Sequence, residues 1–163
     1  MTLAAPVNGR LRAIFTPDGA STRAIVSRSA PLELRGPFAG NSGALYYLRN
    51  VTAGSFGGDR YTIDLTAEAG ARVQLAASAA TKVYAGRDGL ATSDTRIEAL
   101  SGSRIVWGPQ ALILQAGAAL EQRTRCIVHP GATLVLAEVV CFGRLASGER
   151  LRFERFASEL VVE

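Results

Sequence analysis

Side chains that carry chemistry are scarce in this sequence, which has one histidine, two cysteines, one lysine and one tryptophan among 163 residues. With a single imidazole, a serine or cysteine nucleophile finds no spare base. Neither a G-x-S-x-G elbow nor a glycine-rich phosphate loop is present. Ser78 and Lys82 stand four apart and would need a helix to meet. No catalytic residue is assigned, and the expectation is a protein that is not an enzyme. Long apolar runs are missing too. Ile105 to Leu120 carries no charge but is 16 residues long and holds two glycines, a proline and two glutamines, short of the ~18 to 20 apolar residues that cross a bilayer. Met1 to Gly9 has neither a basic side chain nor an apolar stretch of signal-peptide length, so a cytoplasmic location is expected.

Aromatic residues make up 7% of the chain, and the 18 basic residues are scattered from Arg10 to Arg155 against 14 acidic ones. A surface that tracks phosphates concentrates its charge and interleaves it with stacking rings. Nucleic acid is therefore not an expected partner. All the basic residues except Lys82 are arginines, whose planar fork suits carboxylate pairs on solvated sheet faces and in interfaces.

What the chain does have is a series of glycine turns at Ala69-Gly70, Asp88-Gly89, Ser101-Gly102, Ala116-Gly117 and Pro130-Gly131, with the glycines 19, 13, 15 and 14 residues apart. That spacing leaves room for strands of about 5 to 10 residues between turns. Tyr61, Ile63 and Leu65 alternate with Thr62, Asp64 and Thr66, and Val73 and Leu75 with Arg72 and Gln74, a period of two. Ile105 to Trp107 and Leu112 to Leu114 read as strands covered on both faces, with a bulge at Pro109. Leu11 to Phe15, Thr22 to Val26 and Leu45 to Leu48 are further strand candidates, and Pro31 and Gly36 to Gly43 mark loops. The Ala76 to Ala80 stretch is the one place where propensity favours helix. The expected fold is all-β: one domain over residues 1–163, a succession of antiparallel hairpins forming stacked sheets, β-helix-like or sandwich-like, with little helix.

Cys126, His129 and Cys141 are the soft-ligand candidates. If Pro130-Gly131 closes a tight hairpin, Cys126 faces Val135 and Cys141 lies near Leu120. The cysteines are then roughly 20 Å apart, too far for a disulfide. Cys126 and His129 are an odd number of residues apart and point to opposite faces, so they cannot chelate one ion together. No metal site is expected, nor any tightly bound cofactor. The same register sets Arg123 opposite Glu138 as a surface pair.

Two segments stand out as candidates for contact with partners. Gly57-Gly58-Asp59-Arg60 places two glycines at a strand entrance, with a carboxylate able to cap exposed amides. Thr81-Lys82-Val83-Tyr84 sets the one lysine near a strand end. The residues assigned to partner binding are Gly57, Gly58, Asp59, Arg60, Thr81, Lys82 and Tyr84.

These segments belong to a longer pattern. Gly57 to Arg60, Ala69-Gly70-Ala71, Ala79 to Tyr84, Trp107 with Pro109-Gln110, Arg123-Thr124-Arg125, Pro130-Gly131-Ala132, Glu138, Gly143-Arg144 and Gly148-Glu149-Arg150 follow one another in order. In that order and spacing the chain, from about Leu11 to Leu160, resembles the UreD (UreH) family of urease accessory proteins. The resemblance implies a β-rich scaffold that joins a UreF-type accessory protein and a UreG-type GTPase on urease apoprotein. Through that scaffold nickel, as a transient passenger, reaches the urease metallocentre. Two departures are visible: Ala85-Gly86 stands where the family tends to have arginine and serine, and Ala111-Leu112 where an acidic residue and threonine are usual. Family members also usually continue beyond the position of Glu163, so the resemblance implies a UreD-like domain without the usual C-terminal portion. The alternative reading is a divergent β-sheet interaction module that no longer serves urease.

Overall fold

The computed structural model describes residues 5–86 and 89–163. The first half holds β1 (Asn8–Asp18), β2 (Ser21–Arg28), β3 (Leu32–Phe38), β4 (Ala44–Asn50), β5 (Ser55–Phe56), β6 (Arg60–Ala67) and β7 (Arg72–Ala77). After it come β8 (Thr81–Tyr84), β9 (Ala91–Ala99), β10 (Arg104–Leu114), β11 (Ala119–Val128), β12 (Thr133–Cys141) and β13 (Arg155–Val162). Among the described residues the only helical turn is a 3-10 turn at Leu145–Ser147. The fold is all-β, as expected, and the alanine-rich stretch is strand up to Ala77 and resumes as strand at Thr81.

The strands form two stacked sheets. Sheet I runs β13-β11-β9-β6-β1-β2. Sheet II runs β3-β4-β7-β10 with β12 beyond. The first half of β10 pairs with β7 and its second half with β8, which in turn pairs with β5. The antiparallel hairpins expected from the glycine turns occur only near the start, as β1–β2 and β3–β4. From β6 onward every ladder is parallel, and each glycine turn carries the chain from one sheet to the other, whereas the β7–β8 connection stays within sheet II. The turns lie where the glycines place them: Gly70, Gly89, Gly102, Gly117 and Gly131 all have φ between 70° and 79°. Asp88 of the second turn lies outside the described residues.

The reason for this difference is local. In the Gly70, Gly102 and Gly131 turns a hydrogen bond joins the first and fourth residues, from Ala71 N to Glu68 O, Ser103 N to Leu100 O and Ala132 N to His129 O. Only the third residue is a glycine. A two-residue hairpin of type I′ or II′ needs φ > 0 at the second, and Pro130 is locked near −65° there. A turn of this kind splays its strands instead of pairing them. The splayed strands stack on the preceding coil, with Arg104 N donating to Ala71 O at 2.8 Å and Thr133 N to Ser103 O at 2.9 Å.

The N-terminal strands β1, β2 and β4 match expectation, whereas β3 occupies part of the stretch expected to be loop, with an irregularity between Arg35 and Phe38. A register shift between Trp107 and Gln110 is the bulge expected near Pro109. Alternation decides the interior. Tyr61, Ile63, Leu65 and Ala67 of β6 all point between the sheets, each at most 8% exposed. The buried apolar residues form two separate clusters, one around Leu65, Val73, Ile97 and Ile105, the other around Val83, Leu112, Leu114 and Leu120.

Candidate functional site

The segment Gly57 to Arg60 enters β6 through a buried carboxylate. Asp59 is 3% exposed and accepts hydrogen bonds from Val7 N (2.8 Å), Phe56 N (2.9 Å) and the Tyr61 hydroxyl (2.9 Å). A β6 strand that begins at Arg60 leaves these amides without ladder partners, and the side chain satisfies them. Asn50 Nδ2 donates to the Tyr61 oxygen at 3.2 Å, linking the group to β4.

Burial pushes the Tyr61 phenol up to about 12, and the Asp59 carboxylate beside it acts in the same direction. An unfolded tyrosine loses its proton near 10, so the contribution of Tyr61 is complete below pH ~10 and is lost as pH rises through ~12. The expected loss is on the order of 2 kcal/mol. Urea midpoints measured across that window should fall more steeply for the native chain than for Tyr61→Phe; equal slopes would refute it.

Backbone packs directly on backbone beside this carboxylate. A Cβ placed on Gly57 would lie 2.2 Å from Gly89 O, and one on Gly86 would lie 2.4 Å from Gly57 N. Gly58 has a φ of 93°. The joint ties the β5–β6 connection to the chain leaving β8, where the Phe56 and Tyr84 rings stack at 4.8 Å. The structure thus brings Gly57, Gly58 and Asp59 next to the end of the Thr81–Tyr84 strand. It separates the two cations, however. Arg60 is exposed on the outer face of sheet I, and Lys82, between inward Thr81 and Val83, is exposed on the outer face of sheet II.

A second feature lies between the two apolar clusters, where inward positions turn polar. Ser93 and Thr95 of β9, Gln122 and Thr124 of β11, Ser158 of β13, and Gln110 and Glu138 of the facing sheet meet there. Two cavities, of about 450 and 230 Å³, share Ile63, Ser93, Gln110, Gln122 and Glu138 as a common wall. The larger reaches Asn50, Thr52 and Thr81, and the smaller reaches Ser158 and Glu159. At the junction Gln122 Nε2 lies 2.8 and 2.9 Å from the Glu138 oxygens and 3.0 Å from Ser158 Oγ. Trp107 Nε1 and Gln110 Nε2 are buried donors with no acceptor among the described residues, and both residues line the smaller cavity. Such a wall can hydrogen-bond water or a hydrated ion.

Glu138 therefore does not face Arg123, as the expected hairpin register required. Arg123 points outward from sheet I to Glu121 (2.8 Å) and Glu159 (3.5 Å), while Glu138 points inward from sheet II. The polar layer could have been read from β11, where Leu120, Gln122, Thr124 and Cys126 share one face and its middle is polar.

Cys126 and Cys141 are free, and they lie apart because their strands belong to different sheets, not because they are distant on one ladder. Burial raises the Cys126 thiol, which disfavours the thiolate a metal needs. His129 Nε2 lies 3.2 Å from Glu98 Oε1, away from Cys126. Among the described residues no three histidine, cysteine or acidic side chains are grouped to hold an ion. No helix among them is long and apolar enough to cross a membrane.

Comparison with known proteins adds identity to this geometry. The chain is 36% identical to the urease accessory protein UreD of Rhodopseudomonas palustris (strain BisA53) over 134 residues, 82% of this chain and 47% of that protein. It is 36% identical to UreD 3 of Bradyrhizobium sp. (strain BTAi1) over 139 residues, 85% of this chain and 50% of that protein. With UreD 2 of Synechococcus sp. (strain JA-3-3Ab) it shares 36% over 118 residues, 72% and 43% of the two chains. The chain spans about half the length of the curated relatives it matches. The family model described as UreD urease accessory protein matches residues 7–163, from the amide of Val7 held by Asp59 to the last residue beyond β13, and the chain belongs to that family.

Proposed function

We propose that this chain is a non-catalytic scaffold in urease metallocentre assembly, through which nickel passes as cargo. The observation that carries this reading is the polar layer crossing an otherwise apolar β core. Hydrogen-bonding groups facing between the sheets line two adjoining cavities there, with one carboxylate, Glu138, open to solvent at their junction. A single carboxylate with amide and hydroxyl neighbours attracts a hydrated divalent cation without the three or four protein ligands that would retain it. On this reading no cofactor resides in the protein.

The proposed partners are urease apoprotein, a UreF-type accessory protein and a UreG-type GTPase, met in the cytoplasm. Arg60, Lys82 and Tyr84 would offer side chains to them, and Gly57, Gly58, Asp59 and Thr81 would hold the backbone that carries those side chains.

The test is complementation of a urease-positive bacterium deleted for its own UreD protein, with urease activity and nickel per purified urease as readouts. The chain is expected to raise both above an empty vector. Glu138→Ala should lower the nickel content several-fold while leaving capture of apourease intact. Lys82→Ala and Arg60→Ala should leave the melting curve within ~0.5 kcal/mol of the parent and weaken capture. Nickel content no higher than the empty vector would defeat the proposal.

A further inference from the structure

The two outer faces of the protein differ in chemistry. On sheet I arginines and carboxylates are interleaved and paired, as in Arg96–Glu98, Arg125–Glu163 and Arg155–Glu121. This is mainly a solvated surface, with Ile25 and Val161 as isolated exposed apolar side chains. On sheet II the register sets Val106 beside Val135, Ala111 beside Val139 and Ile113 beside Cys141, all pointing outward. Val135 and Val139 are 46% and 51% exposed. The stacked Phe56–Tyr84 pair extends the apolar area at one corner and the Phe38–Tyr47 pair at another.

Charge on this second face is mostly positive. Arg72, Arg104 and Lys82 are exposed there with no carboxylate within 4 Å among the described residues, while Arg49 stands opposite Glu33 in the β3–β4 ladder. Sheet II contributes two carboxylates: Glu33, already held by Arg35 and Arg28, and Glu138, which points inward. An apolar sheet face normally covers itself with another layer, and the rim specifies what that layer carries.

We propose that the outer face of sheet II docks an amphipathic helix of a partner polypeptide, its apolar side on the Val106–Val135–Val139 strip and its acidic flanks on Arg72, Arg104 and Lys82. A second copy is disfavoured, because a two-fold contact of this face would set the same cations against one another. A lipid surface is disfavoured as well: the centre of the strip is valine and alanine lying flat on strands, with no long side chain to insert. The proposal goes beyond passage of nickel and concerns a different surface from the polar layer.

The experiment uses the full chain and a fluorescent 20-residue synthetic helix with leucine on one side and glutamate on both flanks, followed by anisotropy at low salt. Binding is expected, with affinity at least tenfold lower for Val135→Glu/Val139→Glu and for Arg72→Glu/Arg104→Glu, unchanged for Arg96→Glu on the other face, and falling as salt is raised. All the substituted positions are exposed, so melting curves should match the parent, and the two double variants test the apolar and charged components separately. The proposal is overturned if the glutamate helix does not bind, or if a lysine-flanked helix binds equally well. Co-sedimentation with phosphatidylserine vesicles in place of helix binding would overturn it too. So would a dimer, seen by light scattering, that Val135→Glu/Val139→Glu dissociates.

Discussion

Asp59→Ala should lower the melting temperature by roughly 10 °C, the largest effect expected from any single polar side chain in this protein. Its carboxylate accepts from two backbone amides and one buried hydroxyl. Truncation leaves those donors facing a methyl group in a site from which solvent is excluded. Stranding a buried polar partner costs about 1 to 3 kcal/mol, and breaking a buried charged group away from its partners about 3 to 5. For a chain of this size each kcal/mol moves the midpoint by about 2 to 4 °C. Asp59→Asn keeps the shape and one acceptor oxygen but turns an amino group toward a donor, so it should fall between the parent and alanine. Thermal unfolding of the three proteins orders them. A melting point for Asp59→Ala within a degree or two of the parent would mean that the hydrogen bonds at the entrance to β6 contribute nothing net.

The second large effect is steric. Gly57→Ala and Gly86→Ala should each cost about 3 kcal/mol or more, because the added methyl meets main-chain atoms that no rotamer change can move. The carbonyl oxygen of Gly89 stands 2.2 Å from the Gly57 Cβ position and the amide nitrogen of Gly57 stands 2.4 Å from that of Gly86. Gly19 provides the contrast: its φ is positive, at 57°, as those of Gly57 and Gly86 are not, and nothing lies within 4 Å of its Cβ position. There only backbone strain remains, about 1 kcal/mol. Denaturant midpoints for the three variants separate close approach from conformational strain; equal losses would show that packing between the β5–β6 connection and the end of β8 is loose.

The segments involved in both effects were visible in the sequence without their roles. Gly57-Gly58-Asp59 reads as a strand entrance with a capping carboxylate, and it is one. Nothing local reveals that Gly86, some thirty residues on, needs its hydrogen for the same joint. The polar layer is a similar case. Ser93 and Gln122 look like solvated strand positions until the direction of every strand is known, and Glu138, which is solvated, turns toward Gln122 of the facing sheet and not toward the Arg123 that a hairpin would set opposite it.

The period-two alternation, the five glycine turns and the scarcity of ligating side chains determined by themselves that the protein is all-β, where its chain reverses, and that no closed metal site or catalytic set is expected. Those properties depend on neighbours in sequence. Which strand lies beside which was settled only by tertiary structure. A positive φ at one glycine reverses the chain into the same sheet or into the opposite one, and alternation of side chains is identical in both outcomes. The choice fell to stacking of each turn on the one before it, through bonds such as Thr133 N to Ser103 O between residues thirty apart. From that choice follow the parallel ladders, the inward Glu138, and a second sheet whose outer face is apolar and basic while the first is evenly charged.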